Sequence, residues 1–453
     1  MELDHGRWYD ALRSHDPRFD GRLFIAVTST RIYCRPICPA KRPLKKNVRI
    51  YASAAAAEAA GFRPCLRCRP EVAPWTSAWN GTSTTVSRAL RLIGEGALDS
   101  GDVDALSERL GVTSRHMRRL FEEHLGASLI AVAQSRRIHF ARTLLRETSL
   151  PITDVAFAAG FGSVRRFNTA MKHTYRMAPR EMRRGRVAEG GDIVVRLPYR
   201  APFDYHGLLA FLKPRSIKGV EVVEHDEYRR TISFGDVHGV IRVRDAGDAL
   251  LLSVPRAFTH TLKPIVDRVR RLFDVFADPD TIGEDLARDK SLRALVRRWP
   301  GARVPGAWDP FELAVRAVVG QQVSVAAATT LMGRLAARYG TPIESGDPAL
   351  THVFPTAEML RDAPIDGMPS TRAATIRAIA AADLEKDLTS IRGIGPWTAS
   401  YIAMRRGDPD AFPEGDLVLR KAAGNISARE LLVRAEAWQP WRAYAAILLW
   451  RSS

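Results

Sequence analysis

Leu388-Thr389-Ser390-Ile391-Arg392-Gly393-Ile394-Gly395-Pro396-Trp397-Thr398-Ala399-Ser400-Tyr401 decides how the second half of this chain is read. Gly393 and Gly395 lie two apart with helical apolar spacing on both sides, which predicts a tight turn between helices with its backbone N–H groups exposed. Amides at the start of a helix can hold one phosphate of a nucleic acid without reading its bases. Downstream comes Asp410-Ala411-Phe412-Pro413-Glu414-Gly415-Asp416-Leu417, with Asp416 placed to cap a helix beginning at Leu417. Upstream lies Val315-Arg316-Ala317-Val318-Val319-Gly320-Gln321-Gln322-Val323-Ser324-Val325. From about residue 262 onward apolar residues recur at helical spacing and no strands are expected. Between about 192 and 255 the period drops toward two. Ile241 and Val243 alternate with Arg242 and Arg244, amid β-rich segments at 219–223, 228–234 and 250–254. The pattern is a small sheet leading into an all-α domain.

The chain has 453 residues, 46% hydrophobic and 26% charged, which suits roughly three domains with ordinary cores. Lys and Arg number 68 against 50 Asp and Glu, and the net charge of +18 favours a polyanionic partner, although an anionic membrane surface would attract it too. Met1-Glu2-Leu3-Asp4-His5-Gly6-Arg7 contains no apolar signal core. The longest uncharged run, between Arg316 and Arg334, is too short and polar to cross a bilayer, so a soluble, cytoplasmic protein is expected. Composition divides the chain into 1–80, which ends near Pro74-Trp75-Thr76-Ser77; 81–185, which is helical; a charged linker from Arg183 to Gly191; 192–300; and 301–453.

All four cysteines, Cys34, Cys38, Cys65 and Cys68, fall in the first of these stretches with the spacing C-x3-C-x26-C-x2-C. Two short pairs joined by a long loop suit one tetrahedral Zn²⁺, and in a reducing compartment metal is favoured over disulfide. The plain role of such a site is to hold together a domain with a modest core. The flanking residues add more: Thr28-Ser29-Thr30-Arg31-Ile32-Tyr33-Cys34-Arg35-Pro36-Ile37-Cys38, Asn47, and Ala60-Gly61-Phe62-Arg63-Pro64-Cys65-Leu66-Arg67-Cys68. This stretch closely resembles the N-terminal domain of the bacterial Ada response proteins, which move a methyl group from DNA phosphotriesters onto a zinc-bound cysteine. The resemblance implies that Cys34 is the acceptor thiolate and that Cys38, Cys65 and Cys68 complete the zinc site. Zinc keeps its sulfur ligands deprotonated and nucleophilic, without singling out Cys34. Four thiolates leave the site net negative and repel DNA phosphates. Methylating one would weaken that repulsion, and with Arg35, Arg67, Arg69, Lys41 and Lys45 nearby this is an expected electrostatic switch. The transfer would be suicidal, because a thioether is a poor leaving group.

Residues 81–185 carry one helical motif twice. Asp104 is placed to cap a helix with Leu106 and Leu110 that stops at Gly111, and a second helix starts at Thr113 or Ser114 with Met117, Leu120 and Phe121 inside. Arg115, His116, Arg118 and Arg119 are left on its outer face. The pattern returns with Pro151-Ile152-Thr153, Val155, Ala156, Gly160, a Ser163 cap and Phe167, leaving Arg165, Arg166 and Asn168 outside. A longer helix over about 130–145 joins the units. Short helices joined by a glycine turn, the second basic and capped, describe a helix-turn-helix, while a helical bundle with a solvated Arg face is the plain reading. The duplication resembles the AraC-type DNA-binding domain, through Arg136-Arg137 to Ala141-Arg142-Thr143-Leu144-Leu145 and Ala158-Ala159-Gly160-Phe161 to Phe167. Leu129 stands where that family often has proline, and Arg176 where it often has glycine.

The segment from 192 to 453 resembles the helix-hairpin-helix glycosylases of the AlkA branch, which remove alkylated bases from DNA. The resemblance implies that Asp416 is the catalytic aspartate, that Gly393 and Gly395 form the phosphate-holding hairpin, and that Trp397, Tyr401, Trp441 and Phe211 line the base pocket. An electron-rich aromatic face favours a cationic base over a neutral one. Gln322 occupies the place of an apolar wedge that enters the vacated stack, and Leu417 the place of an aromatic pocket residue. Pro396-Trp397-Thr398 supplies no lysine for a Schiff base, so base removal alone is expected, with no cofactor for that step.

The whole chain looks like an Ada–AlkA fusion. The fold class expected is multidomain α+β: a small zinc domain, an all-α double helix-turn-helix domain, and a small β-rich domain leading into an all-α helix-hairpin-helix glycosylase domain. No cysteine follows Cys68, so the second methyl acceptor of Ada proteins is expected to be absent. The implied partners are double-stranded DNA, both damaged sites and operators, and RNA polymerase, with no membrane and a monomeric protein. The competing readings are a transcription factor whose glycosylase half is only a DNA clamp, and a repair enzyme whose AraC-type part merely delivers it to DNA.

Overall fold

Short β-branched and aromatic runs in the cysteine-bearing stretch pair into a sheet in the computed structural model. The structure describes residues 19–70, 84–99, 102–183, 191–385 and 387–453. The N-terminal residues 1–7, the junction expected at Pro74–Ser77 and all of the expected linker except Arg183 and Gly191 lie outside the described residues. The chain divides into two compact units, one made of the described residues up to Pro198 with Arg256–Asp267, the other of Tyr199–Pro255 with Arg268–Ser453.

In the first unit, β1 (Phe24–Val27), β2 (Ile32–Cys34), β3 (Val48–Tyr51) and β4 (Arg63–Pro64) form a sheet in the order β3-β1-β2-β4. The last pair is parallel with Tyr33 opposite Pro64, which brings Cys34 beside Cys65 at the ends of their strands. Between β3 and β4 runs α1 (Ala54–Ala59), capped by the Ser53 hydroxyl, which accepts from the Ala56 amide at 3.0 Å.

The helical stretch follows as α2 (Thr84–Gly94), α3 (Val103–Arg109), α4 (Ser114–Leu125), α5 (Leu129–Glu147), α6 (Ile152–Ala158), α7 (Val164–Tyr175) and α8 (Pro179–Met182). The cap of α3 is Asp102 and not the expected Asp104. Asp102 has extended backbone and its carboxylate accepts from the Ala105 amide at 2.8 Å, while Asp104 sits inside the first turn and accepts from the Ser114 hydroxyl. The joining helix α5 runs beyond the expected 130–145 at both ends, and Ser128 caps its start.

The duplication extends to the backbone. Thr113 caps α4 and Ser163 caps α7, and each helix ends on a left-handed residue, Gly126 at φ 62° and Arg176 at φ 58°. A left-handed conformation costs a side-chain-bearing residue free energy that glycine avoids. Arg176→Gly should therefore stabilise the protein by about 1 kcal/mol in urea unfolding. No gain would mean that the exposed Arg176 side chain compensates elsewhere.

One core cluster joins Leu106, Met117, Phe121, Leu125, Leu129 and Val132 to Ala55 and Ala56 of α1, so the cysteine-bearing sheet and the first helical repeat share apolar packing. The Ser53 hydroxyl also donates to the Leu125 carbonyl at 2.7 Å, and Arg69 pairs with Glu147 at 2.8 Å. A buried polar cluster adds to this. His139 Nε2 lies 2.8 Å from Glu58 and 3.1 Å from the Tyr33 hydroxyl, which donates to Glu58 at 2.8 Å. Removing one member strands the others in a largely buried place. His139→Ala should cost about 1–3 kcal/mol in a thermal or urea melt, and a cost under about 0.5 kcal/mol would show that water replaces the imidazole. A strand, β5 (Ile193–Pro198), ends this part of the unit.

The second unit contains α9 (Tyr205–Leu212) and an antiparallel meander, β6 (Glu221–Glu224), β7 (Glu227–Phe234), β8 (Val237–Asp245) and β9 (Ala249–Val254). The alternation read from the sequence holds, with Ile241 and Val243 buried and Arg242 and Arg244 exposed. Strands do not end at residue 262, because Thr341–Pro342 pairs with His352–Val353 in a short ladder that a two-residue pattern could not signal. The helices that matter for the site are α10 (Pro310–Val319), α11 (Val325–Tyr339), α12 (Ser370–Ala381), α13 (Pro396–Arg405), α14 (Leu417–Ala422) and α15 (Arg442–Arg451). They build two cores, one around Val315, Val318, Met332, Ile376 and Ile402, the other around Leu286, Met404, Phe412, Leu419 and Ile447. Tyr401 of α13 packs against both, so this helix lies on the seam between them. Arg230 of β7 ties the meander to α10 through Glu312 at 2.8 Å and also meets Glu221 at 3.2 Å. Burial alone would raise the Glu221 carboxyl, but Arg316 and Arg230 hold it at about 2. Among the described residues no helix is long and apolar enough to cross a membrane.

Candidate functional site

The turn between Gly393 and Gly395 is built by its neighbours. Gly393 has φ 96°, and a Cβ there would fall 2.1 Å from Thr375 Oγ1, so only glycine fits. Thr375 Oγ1 donates to the Arg392 carbonyl at 3.0 Å. Gln321, from the turn after α10, donates to the Gly393 carbonyl at 2.9 Å and lies 3.0 Å from Thr398 Oγ1, while Arg372 holds the Gln321 carbonyl at 2.7 Å. Gly395 is different: it caps α13 with extended backbone, and the space around an added Cβ is open. Its smallness leaves the helix N-terminus approachable by a phosphate. Gln322, adjacent to the Gln321 anchor, is exposed and adopts φ 55°.

Asp416 both caps α14 and faces the aromatic residues. Its Oδ1 accepts from the Val418 and Leu419 amides, both at 2.9 Å, and from the Trp450 indole at 3.0 Å; its Oδ2 accepts from the Trp397 indole at 3.1 Å. Four N–H donors on one carboxylate fix its rotamer from three elements of the fold. Trp397 stacks on Tyr401 with ring centroids 5.4 Å apart and planes 6° from parallel, and Trp450 meets Tyr401 edge-on at 6.3 Å. Phe211 of α9 lies under two guanidinium groups, Arg215 at 3.9 Å and Arg405 at 5.0 Å, and Arg405 donates to the Tyr401 hydroxyl at 2.7 Å. Burial pushes the Tyr401 phenol up, but Arg405, Arg215 and Arg316 outweigh it and hold the phenol below its ordinary value.

The sequence-predicted residues Asp416, Trp397, Tyr401 and Phe211 thus come together with the hairpin. Trp441 stands in the second core, buried, with its indole on Asp285 at 3.0 Å. The indole that reaches the carboxylate belongs to Trp450, which sequence reasoning missed. Residues 443–449 of α15 are all buried, so apolar spacing marks no face of that helix. The available signal was chemical: an indole in the last turn of an apolar helix needs an acceptor. Leu417 is 57% exposed beside Asp416.

In the first unit the four cysteine sulfurs lie within 4.8 Å of one another. Cys38, Cys65 and Cys68 are buried, and Cys34 alone of the four is partly accessible. Hydrogen bonds from Cys38, Cys65 and Cys68 push the Cys34 thiol up, while those from Cys34, Cys38 and Cys68 push Cys65 down. Four sulfurs so close cannot all be thiolates without a cation, and an all-thiolate tetrahedral set fits Zn²⁺. The site is a four-cysteine zinc centre. The nearby basic residues divide: Arg35 is bound to Asp20 at 2.7 Å and to the Cys68 carbonyl at 3.1 Å, and Arg69 pairs with Glu147. Arg67, Lys41 and Lys45 are exposed. Along α4, Arg115 and Arg119 are exposed and His116 is half-buried, and along α7, Arg165, Arg166 and Asn168 are exposed, so both second helices carry their polar faces outward.

Three family models match the chain: the metal binding domain of Ada over residues 7–71, a helix-turn-helix domain over 106–185, and the AlkA N-terminal domain over 194–309. A Mycobacterium tuberculosis protein described as a probable bifunctional transcriptional activator/DNA repair enzyme AlkA is 41% identical over 99% of this chain and 97% of its own length. The Escherichia coli DNA-3-methyladenine glycosylase 2 is 31% identical over 56% of this chain and 95% of its own. The E. coli bifunctional transcriptional activator/DNA repair enzyme Ada is 33% identical over 43% of this chain and 51% of its own. The structure of a 3-methyladenine DNA-glycosylase from Archaeoglobus fulgidus superposes with a TM-score of 0.50 at 21% identity, covering 56% of this chain and 96% of that one, a likeness of fold. With one relative 41% identical over nearly the whole of both chains, and three component families matched along this one, the chain belongs to the Ada–AlkA family of bifunctional transcriptional activator and DNA repair proteins.

Proposed function

We propose that this protein repairs alkylated DNA by two chemistries and regulates transcription in response. The observation that carries the first chemistry is the Asp416 carboxylate, held by four N–H donors beside the stacked Trp397 and Tyr401. A damaged nucleotide flips out of the duplex while the Gly393–Gly395 turn holds the backbone, and its base meets the aromatic wall. The N-glycosidic bond then breaks with its electron pair leaving on the base, which is already cationic and needs no strong acid. Asp416 stabilises the positive charge that develops at C1′ and orients the water that adds there. The adding water gives up a proton and the product is an abasic site. With Pro396-Trp397-Thr398 and no lysine just after the turn glycines, strand cleavage through a Schiff base has no nucleophile at that place.

The second chemistry belongs to Cys34, the accessible member of the zinc centre. Bound zinc keeps the ligand sulfurs as thiolates. The Cys34 sulfur attacks the methyl carbon of a DNA methylphosphotriester, the carbon–oxygen bond breaks, and the phosphodiester leaves as an anion. The thioether product is permanent, so each molecule acts once. Arg115, His116 and Arg119 on α4, with Arg165, Arg166 and Asn168 on α7, read the operator. Methylation makes the zinc centre less negative and strengthens its hold on DNA through Arg67, Lys41 and Lys45. We place the protein in the cytoplasm as a monomer, working on double-stranded DNA, with RNA polymerase as its partner at operators.

The test is to incubate the purified chain with methylated duplex DNA. Release of free methylpurines with turnover, together with at most one methyl group retained per protein, is the expected result. A folded, DNA-binding protein that frees no base would leave the glycosylase half as a clamp.

A further inference from the structure

Arg405 is a buried charge at the back of the aromatic wall, 5% exposed, and each edge of its guanidinium is committed. Nε donates to the Pro305 carbonyl and Nη2 to the Gly306 carbonyl at 2.7 Å, while Nη1 donates to the Tyr401 hydroxyl at 2.7 Å. The loop it grips cannot shift easily: a Cβ on Gly306 would fall 2.2 Å from the Arg271 carbonyl oxygen. Tyr401 stands one helical turn before Arg405 on α13, stacks on Trp397, and Trp397 in turn donates to Asp416. The contacts form one chain, from a fixed loop through Arg405, Tyr401 and Trp397 to the carboxylate.

We infer that Arg405 is a positioning residue for base excision, which fixes the Tyr401 ring against the loop at 305–306 and thereby sets the Trp397 indole on Asp416. Arg405 touches neither substrate nor the reacting atoms. A rigid cation fork is suited to this task because one group can bind two backbone carbonyls and a phenol at once. A lysine, with a single nitrogen, cannot span all three. The inference rests on the base-excision reading of Asp416, and its test has an arm that does not depend on activity.

Single-turnover release of 7-methylguanine from duplex DNA is measured for the full chain and for Tyr401→Phe, Arg405→Met, Arg405→Lys and the Tyr401→Phe/Arg405→Met pair. Small misplacements of catalytic groups cost rate steeply. Each of the first two should slow release by about 10- to 100-fold at unchanged DNA affinity, with partial recovery in Arg405→Lys. The pair should be no slower than the slower single variant, since both break one chain. Multiplying losses in the pair would overturn the inference, because Arg405 would then act only by supporting the fold. Tyr401→Phe leaves every backbone bond of Arg405 in place, so it remains informative if Arg405→Met folds poorly. The second arm is the near-ultraviolet circular dichroism change on Arg405→Lys, which should vanish in a Tyr401→Phe background. Persistence there overturns the inference. A wild type that frees no base but shows this dependence overturns the reading of Asp416 while leaving the positioning chain intact.

Discussion

Asp416→Asn should lower the single-turnover release of methylpurines by about 10²- to 10³-fold while shifting stability by less than about 1 kcal/mol. Asparagine remains a good helix cap, and its amide oxygen can keep the Val418 and Leu419 bonds that hold α14. What it loses is charge, the property asked of the group beside a developing oxocarbenium ion. It also turns an NH₂ toward the Trp397 indole N–H, two donors facing each other, so the 3.1 Å bond is lost. Asp416→Ala should differ by adding about 0.5–2 kcal/mol of lost capping to a similar loss of rate. The comparison separates the two roles, since a structural role alone would make stability and rate fall together. Undiminished release by a well-folded Asp416→Asn would remove the carboxylate from the reaction and move attention to water held elsewhere on the aromatic wall.

The surroundings of Asp416 show how far sequence could go. The cap was legible because Asp before Leu417 is a local signal, and the turn was legible because Gly393 and Gly395 lie two apart with helical spacing on both sides. The cysteine spacing gave the metal centre for the same reason: ligand chemistry demands those residue types at those separations. The choice among indoles was not local. Trp441 and Trp450 sit nine positions apart at opposite ends of one helix, and which one meets Asp416 depends on how α15 packs across the second core. The misplaced cap of α3 has a similar origin, because Asp102 and Asp104 are equally good cap residues and only the extended backbone at Asp102 decides. Sequence also counted Arg35 among the basic residues near the cysteines, and its tie to Asp20 is a pairing that composition cannot reveal. Periodic apolar patterns and metal spacings therefore transferred well, and side-chain partners across the fold did not.

Cys38→Ala and Cys34→Ala should separate zinc binding from methyl acceptance, with the larger structural effect from the buried residue. Beyond the sulfurs, the cysteine-bearing sheet has two small apolar clusters, one around Phe24, Tyr33 and Phe62 and one around Ile25, Val48 and Ile50. Cores of that size rarely stabilise a fold alone, whereas structural zinc supplies about 10–16 kcal/mol in small domains at neutral pH. Losing Cys38, 4% exposed, opens the centre from inside, so zinc content should fall and the sheet should unfold. The helices should feel it, because Ala55 and Ala56 lie in the core of the first helix-turn-helix and Glu58 holds His139 of α5. Operator binding through α4 should therefore weaken when Cys38 is replaced or zinc is chelated. Losing Cys34 leaves three sulfurs and room for water at the accessible corner, an arrangement zinc tolerates. That variant should retain zinc with reduced affinity, keep most of its operator binding, and take up no methyl group. Metal analysis, footprinting and counting of labelled methyl groups give the three readouts. Methyl uptake surviving in Cys34→Ala would place the acceptor on a buried cysteine, which the sheet would have to open to expose.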